Sequence, residues 1–275
     1  MILSRRWNRV GLVVLVLAML ATILPFVFTF LNSIKYFKDI VSGSLLFQPT
    51  LVNYQRLFVS QQSAFLVNTG NSAVVAVVST ILVVSIAALG GYSLNRFGWP
   101  RRFTAILAGW ILLFHMIPGV TMVGPFYLMF RNLGIYDRLP GLILSHVVLN
   151  LPLALWIVQS FLSDLPVELE EAAHIDGCTN IGTFMKVVVP LIAPGLAAVA
   201  ILTFVFSWNE FLFALNLTST HAATIPVGIS KFAQQYEVRY GEMSAAAFFA
   251  TLPAIIFLTI AQRQIVKGLT LGALK

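Results

Sequence analysis

Side chains able to do chemistry are few in this sequence, and they are unevenly spread. Asp and Glu number only 10 in 275 residues. Five of them, Asp164, Glu168, Glu170, Glu171 and Asp176, crowd into the 13 residues from Asp164 to Asp176. Carboxylates gathered this way suit charge-assisted hydrogen bonds to Arg or Lys on another surface. They suit a solvated connector equally well. Catalytic readings find little to use. The four histidines, His115, His146, His174 and His221, lie far apart and lack metal-ligand spacing. A G-x-S-x-G elbow is missing. No Gly-Lys dipeptide occurs, so there is no phosphate-binding loop of the G-x-x-x-x-G-K-S/T kind. The sequence offers no catalytic residue.

The elements that must position these groups are set by hydropathy. Mean hydropathy is +0.90 and 10% of residues are charged, against about 25% in soluble domains. Six segments hold the roughly 20 apolar residues that a bilayer crossing needs. They are Val10–Leu31, Ser72–Leu94, Phe103–Phe130, Leu139–Phe161, Ile192–Leu217 and Met243–Ala261. All lack Asp, Glu, Lys and Arg except the fifth, which carries Glu210. Only helices and closed barrels satisfy their backbone in lipid, and the short alternating segments of a barrel are absent. The predicted fold is an all-α integral membrane protein with six transmembrane helices. The first apolar run is too long for a signal-peptide core and has no clear small-x-small cleavage site, so it reads as a retained span.

Orientation follows from Lys and Arg. The cluster Arg96, Arg101 and Arg102, in a short loop with no acid, places both termini inside (N-in/C-in), and with them the loop between spans four and five. The net charge of +7 is then spread over short loops at the membrane surface and argues for no nucleic acid. The lone cysteine, Cys178, excludes an internal disulfide and lies on the reducing side. The longest stretch outside the spans runs from about Asn32 to Asn71, so residues 1–275 read as a single transmembrane domain with core spans over about 72–261.

The acidic stretch sits in the cytoplasmic loop at about 163–190. Leu165–Asp176 predicts a short helix, with Pro166 in its first turn and Gly177 ending it. Glu168, Glu170 and Glu171 lie where the helix dipole favours negative charge. Thr179 can cap a second helix whose Ile181, Phe184 and Val188 form an apolar stripe, and Pro190 and Pro194 are expected to mark the turn into span five. The bracket is either an amphipathic connector or a docking element.

Glu171-Ala172-Ala173-His174-Ile175-Asp176-Gly177, continued by Phe184, Pro190 and Pro194, resembles the E-A-A-x-x-D-G loop of permease subunits in binding-protein-dependent ABC importers. Cys178 stands where that family usually has alanine. The resemblance implies that the bracket is a coupling helix seated in a groove of an ATPase subunit, with Glu171 meeting a basic partner. ATP and Mg would be bound by the ATPases, and this chain would carry no cofactor. Phe206–Ser219 (FSWNEFLFALNLTS), Thr224–Phe232 (TIPVGISKF) and Ala261–Lys275 are similar to the maltose-type carbohydrate importers, in particular their second, MalG-like permease. The partners implied are a second homologous permease (a heterodimer), two ATPases and an extracytoplasmic solute-binding protein, assembled in a bacterial inner membrane. The solute would be a sugar or sugar-like molecule moved by alternating access.

Candidates for the pathway are Trp208, Asn209, Glu210 and Asn150. Glu210 either lines the pathway or is hydrated near the mouth of its helix. Trp208 offers a stacking face or an interfacial anchor, and Asn150 either lines the pathway or holds helices together. By the resemblance, Gln234, Gln235 and Tyr236 would reach the binding protein, and Gly268–Lys275 would pack on the ATPases. The rival function is an ion-gradient-driven secondary transporter, which predicts several intramembrane carboxylates and an internal repeat. One glutamate and no evident repeat count against it.

Overall fold

The structure, a computed structural model, describes residues 5–60, 63–233 and 238–272. Among them the regular structure is helical, apart from one antiparallel bridge between Ala233 and Val238. In order, the helices are α1 (Arg5–Ser33), α2 (Phe37–Val41), α3 (Val52–Phe58), α4 (Phe65–Arg96), α5 (Arg101–Met116) and α6 (Gly119–Asn132). There follow α7 (Leu139–Ser163), α8 (Glu168–Ile175), α9 (Asn180–Thr183), a π-helical turn (Phe184–Val188), α10 (Val189–Asn209), α11 (Leu212–Leu217), α12 (Ile225–Ser230) and α13 (Tyr240–Gly272).

Five stretches within these helices are long and apolar enough to span a membrane: Gly11–Ser33, Phe65–Arg96, Leu139–Ser163, Asn180–Asn209 and Tyr240–Phe257. The first is exposed from Gly11 to Phe28, with Leu12 and Leu15 more than 60% accessible, and only its last turn is covered, where Ser33 is buried. A helix apolar on every side is solvated by lipid.

The structure corrects three sequence expectations. Phe103–Phe130 is not one helix but two, α5 and α6, broken at Ile117–Pro118. Proline forces its predecessor out of the helical region, and Ile117 has φ −73° and ψ 121°. Pro190 and Pro194 mark no turn, since α9, the π turn and α10 run on without a break from Asn180 to Asn209. The π turn lies just ahead of Pro190, with the Val189 N–H reaching back five residues to the Phe184 carbonyl. Such bulges absorb the irregularity that a proline brings to a helix. The helix then ends at Asn209, before Glu210 and Phe211, so the expected span Ile192–Leu217 becomes α10 plus the short α11.

The chain divides into two compact units. The first comprises residues up to Val67 with Gly228–Pro253. Inside it Phe58, Phe65 and Phe249 meet edge to face, at centroid distances of 5.1–5.7 Å. Buried Asn53 donates to the Ser33 and Lys35 carbonyls, and buried Glu242 pairs with Arg239 at 3.0 Å. The second unit comprises Asn68–Val227 with the residues from Ala254 onward. One of its cores joins α4, α7, the π turn and α10 through Val83, Ala87, Val158, Leu162, Val188 and Ile192. Another joins α6, α7 and α11 through Phe130, Leu142 and Phe213.

Candidate functional site

The acidic bracket has two faces. Helix α8 is shorter than predicted, starting at Glu168 rather than Leu165. Gly177 ends it as expected, at φ +87°, a conformation that strains any residue with a Cβ. Thr179 caps α9, its Oγ1 accepting from the Gly182 N–H at 3.2 Å. Inward, Ala173 and Phe184 are buried, and Phe184 packs on Tyr92 of α4 at 4.9 Å between ring centres. Glu170 is buried too. It accepts from the Arg96 Nε at 2.6 Å and from the Tyr92 hydroxyl at 2.9 Å. Outward lie Glu168, Glu171, Ala172, Asp176 and Gly177. Beside them stand Ile175, 87% accessible, and Ile181, 76%. Pro190 is exposed on the first turn of α10. The bracket therefore presents carboxylates and isoleucines on one outward surface and is tied down by the other.

The pathway candidates do not share one environment. Trp208 is buried and stacks on Phe204 at 5.8 Å, and Phe204 in turn stacks on Phe257 at 4.1 Å. Asn209 is exposed, its amide donating back to the Val205 carbonyl. Glu210 caps α11: its two oxygens accept from the Phe213 N–H at 2.8 Å and the Ala214 N–H at 2.9 Å. Fully buried His146 lies beside it, with Nε2 3.5 Å from Glu210 Oε2 and Nδ1 2.5 Å from the Ser207 hydroxyl. Asn150 donates to the His146 carbonyl at 2.7 Å. It also lines an open cleft of about 170 Å³ between α7 and α10, with Leu153, Ile157, Leu202, Thr203 and Phe206. Gln234, Gln235 and Tyr236 lie outside the described residues, as does the end of the tail. Among the described residues no three His, Cys, Asp or Glu side chains converge as a metal would require.

Comparison with known proteins identifies the architecture. The family model described as "Binding-protein-dependent transport system inner membrane component" matches residues 87–271, about two thirds of the chain and all of the bracket. This chain belongs to that family. Relatives agree along nearly their whole length. The trehalose transport system permease protein SugB of Mycobacterium tuberculosis is 39% identical over 92% of both chains. The trehalose/maltose transport system permease protein MalG of Thermococcus litoralis is 34% identical over 94% of both. The fold matches a chain in the crystal structure of a bacterial ABC transporter importing the acidic polysaccharide alginate, with a TM-score of 0.81 over 96% of this chain and 99% of that one, at 19% identity.

The chain is thus a non-catalytic, multi-pass inner membrane permease, and the secondary-transporter reading falls away. Permeases of this kind bind no cofactor, since ATP is bound by the partner ATPase. The structure also brings out residues that the sequence reading missed. Arg96 served there only as a topology marker, yet it holds Glu170 and donates to the Leu165 carbonyl at 2.9 Å. Asp137 carried no expectation. Its carboxylate accepts from the backbone N–H groups of Ser219, Thr220, His221 and Ala222 at 2.8–3.2 Å. Asn71 holds the same loop by its His221 and Ala223 carbonyls. The signal available was indirect: Asp137 is the only acid between Asp39 and Asp164.

Proposed function

We propose that this permease forms one half of the pathway of an ATP-driven importer for a sugar or sugar-like solute, and moves it by alternating access. The carbohydrates named for its relatives support the solute class, and the bracket supports the energy source. One observation carries the docking reading: Glu171 and Ala172 face outward beside Ile175 and Ile181 while Glu170 and Ala173 are turned in. Exposed isoleucines beside carboxylates at a polar surface suit a protein partner, here the ATPase. The assembly proposed has a second, homologous permease, two ATPases and an extracytoplasmic binding protein.

The whole chain acts as one transmembrane domain with both termini cytoplasmic. Five continuous spans and the α5–α6 pair, broken at Pro118, make six crossings. Asn209 and Asn150 are the side chains proposed to meet the solute, with Trp208 and Glu210 fixing their position. Gln234, Gln235 and Tyr236 are proposed to meet the binding protein.

The test is co-purification from the native membrane through a C-terminal tag, comparing wild type with Glu171→Ala. Wild type should bring an ATPase and a second permease, and the variant should lose most of the ATPase. Removing one partner of a desolvated charge pair costs about 2–5 kcal/mol, which is tenfold or more in affinity. A wild-type chain that purifies alone, or a variant that keeps its ATPase, would sink the docking reading.

A further inference from the structure

Glu170 precedes the motif glutamate, yet it points the other way. Both of its oxygens are taken by side chains one turn apart on α4: Arg96 Nε on Oε1 at 2.6 Å and Tyr92 Oη on Oε2 at 2.9 Å. The Arg96 and Glu170 side chains are 13% and 6% accessible. The rest of the guanidinium is used as well. Nη2 donates to the Leu165 carbonyl at 2.9 Å and, more distantly, to that of Leu162, and Nη1 donates to Asn95 Oδ1 at 2.8 Å. The Asn95 amide donates to the Ser163 hydroxyl at 3.2 Å. The last two turns of α4 therefore grip the end of α7, the connection to α8, and α8 itself.

We infer that Tyr92, Arg96 and Glu170 form a strut, a set of positioning residues through which movement of the docked bracket is passed to the cytoplasmic end of α4. The inference rests on the docking reading above. Apolar contacts alone would let the bracket slide, because dispersion has little directional preference. Two charge-assisted hydrogen bonds to one buried carboxylate fix both direction and distance. Surrounding packing leaves little slack: a Cβ on Gly91 would lie 3.0 Å from Val158 Cγ1 and 3.3 Å from Leu162 Cδ1. A pull on Glu171 from outside thus loads α4 through the adjacent residue. Helix shifts at interfaces in such transitions run to only about 1–2 Å, so a loose link at this point would dissipate them.

The test places spin labels at the chain's single cysteine, Cys178, and at exposed Leu89→Cys on α4. Pulsed EPR reads their separation in the complex with its ATPases, without nucleotide and trapped with ATP and vanadate. With the strut intact, one narrow distance should persist in both states. In Glu170→Gln, and more mildly in Tyr92→Phe, the trapped state should show a distance displaced from that without nucleotide by about 1–2 Å. The exchange Arg96→Glu with Glu170→Arg should restore the single distance, and every variant should keep the wild-type distance without nucleotide, which a folding defect would alter. Variants that keep one unchanged distance, or a wild-type distance that itself shifts on trapping, overturn the strut. If no ATPase accompanies the wild-type chain, the docking reading falls and the strut falls with it; if the ATPase is present and only the distances disagree, the strut alone falls.

Discussion

Asp137 stands at φ 53°, a left-handed conformation that a short polar side chain tolerates. Burial works against its charge, but the backbone N–H groups of Ser219, Ala222, His221 and Thr220 outweigh that and hold its pKa at about 2, below the ordinary 3.8. A depressed carboxylate pKa stabilises the fold above the unfolded value, and that stability is lost as pH falls through the folded one. Asp137→Asn should therefore unfold at lower temperature than wild type at neutral pH. The gap should narrow as pH drops below about 4 toward 2. Thermal unfolding of the detergent-solubilised complex across that range measures it. Most of the group is near water, so added salt should also shrink the difference. Glu210 is the matching case at the end of a span. Its carboxylate stands out in an apolar run, but its partners, two N–H groups three and four residues onward, depend on the chain breaking at that point.

Helix ends decide how the bracket is built. Thr179 alone supplies a side-chain cap to α9, and α9 runs straight into the π turn and α10. Replacing such a cap with alanine costs roughly 0.5–2 kcal/mol. Thr179→Ala should speed amide exchange over 180–188 by about two- to thirtyfold, the range equivalent to that energy, while α7 is unaffected. Hydrogen exchange with mass-spectrometric readout checks this, and protection across 180–188 unchanged from wild type would refute it. The cap and the Gly177 stop were legible because each acts on its immediate neighbours. The break at Pro118 was written in the sequence but hidden by a continuous apolar run, since hydropathy averages over a residue whose effect is on backbone geometry. The π turn left no comparable mark ahead of Pro190.

Over the whole molecule, lipid replaces water as the solvent for most side chains. That explains a chain whose longest helices carry exposed leucines and whose few charges are nearly all at helix ends or in loops. The proposed topology makes a sided prediction. In a Cys178→Ala background, Leu46→Cys, 92% accessible, should react with an impermeant maleimide in intact spheroplasts. Ile175→Cys, 87% accessible, should react only after permeabilisation. The opposite pattern would invert the topology and remove the bracket from the ATPase side.

The sequence by itself determined the solvent, the helical class and the bracket. Each depends on composition or on residues within a few positions of one another: apolar runs of bilayer length, a cap, a glycine stop and the E-A-A-x-x-D-G pattern. It could not divide labour between adjacent glutamates. Glu170 and Glu171 are chemically equivalent in the chain, and only tertiary packing turns one toward Arg96 and Tyr92, 74 and 78 positions away, and leaves the other exposed. Asp137 found its four donors more than 80 residues onward for the same reason. Long-range polar pairing has no period and no fixed spacing. It is set when helices pack, and buried charge must then find its partners there.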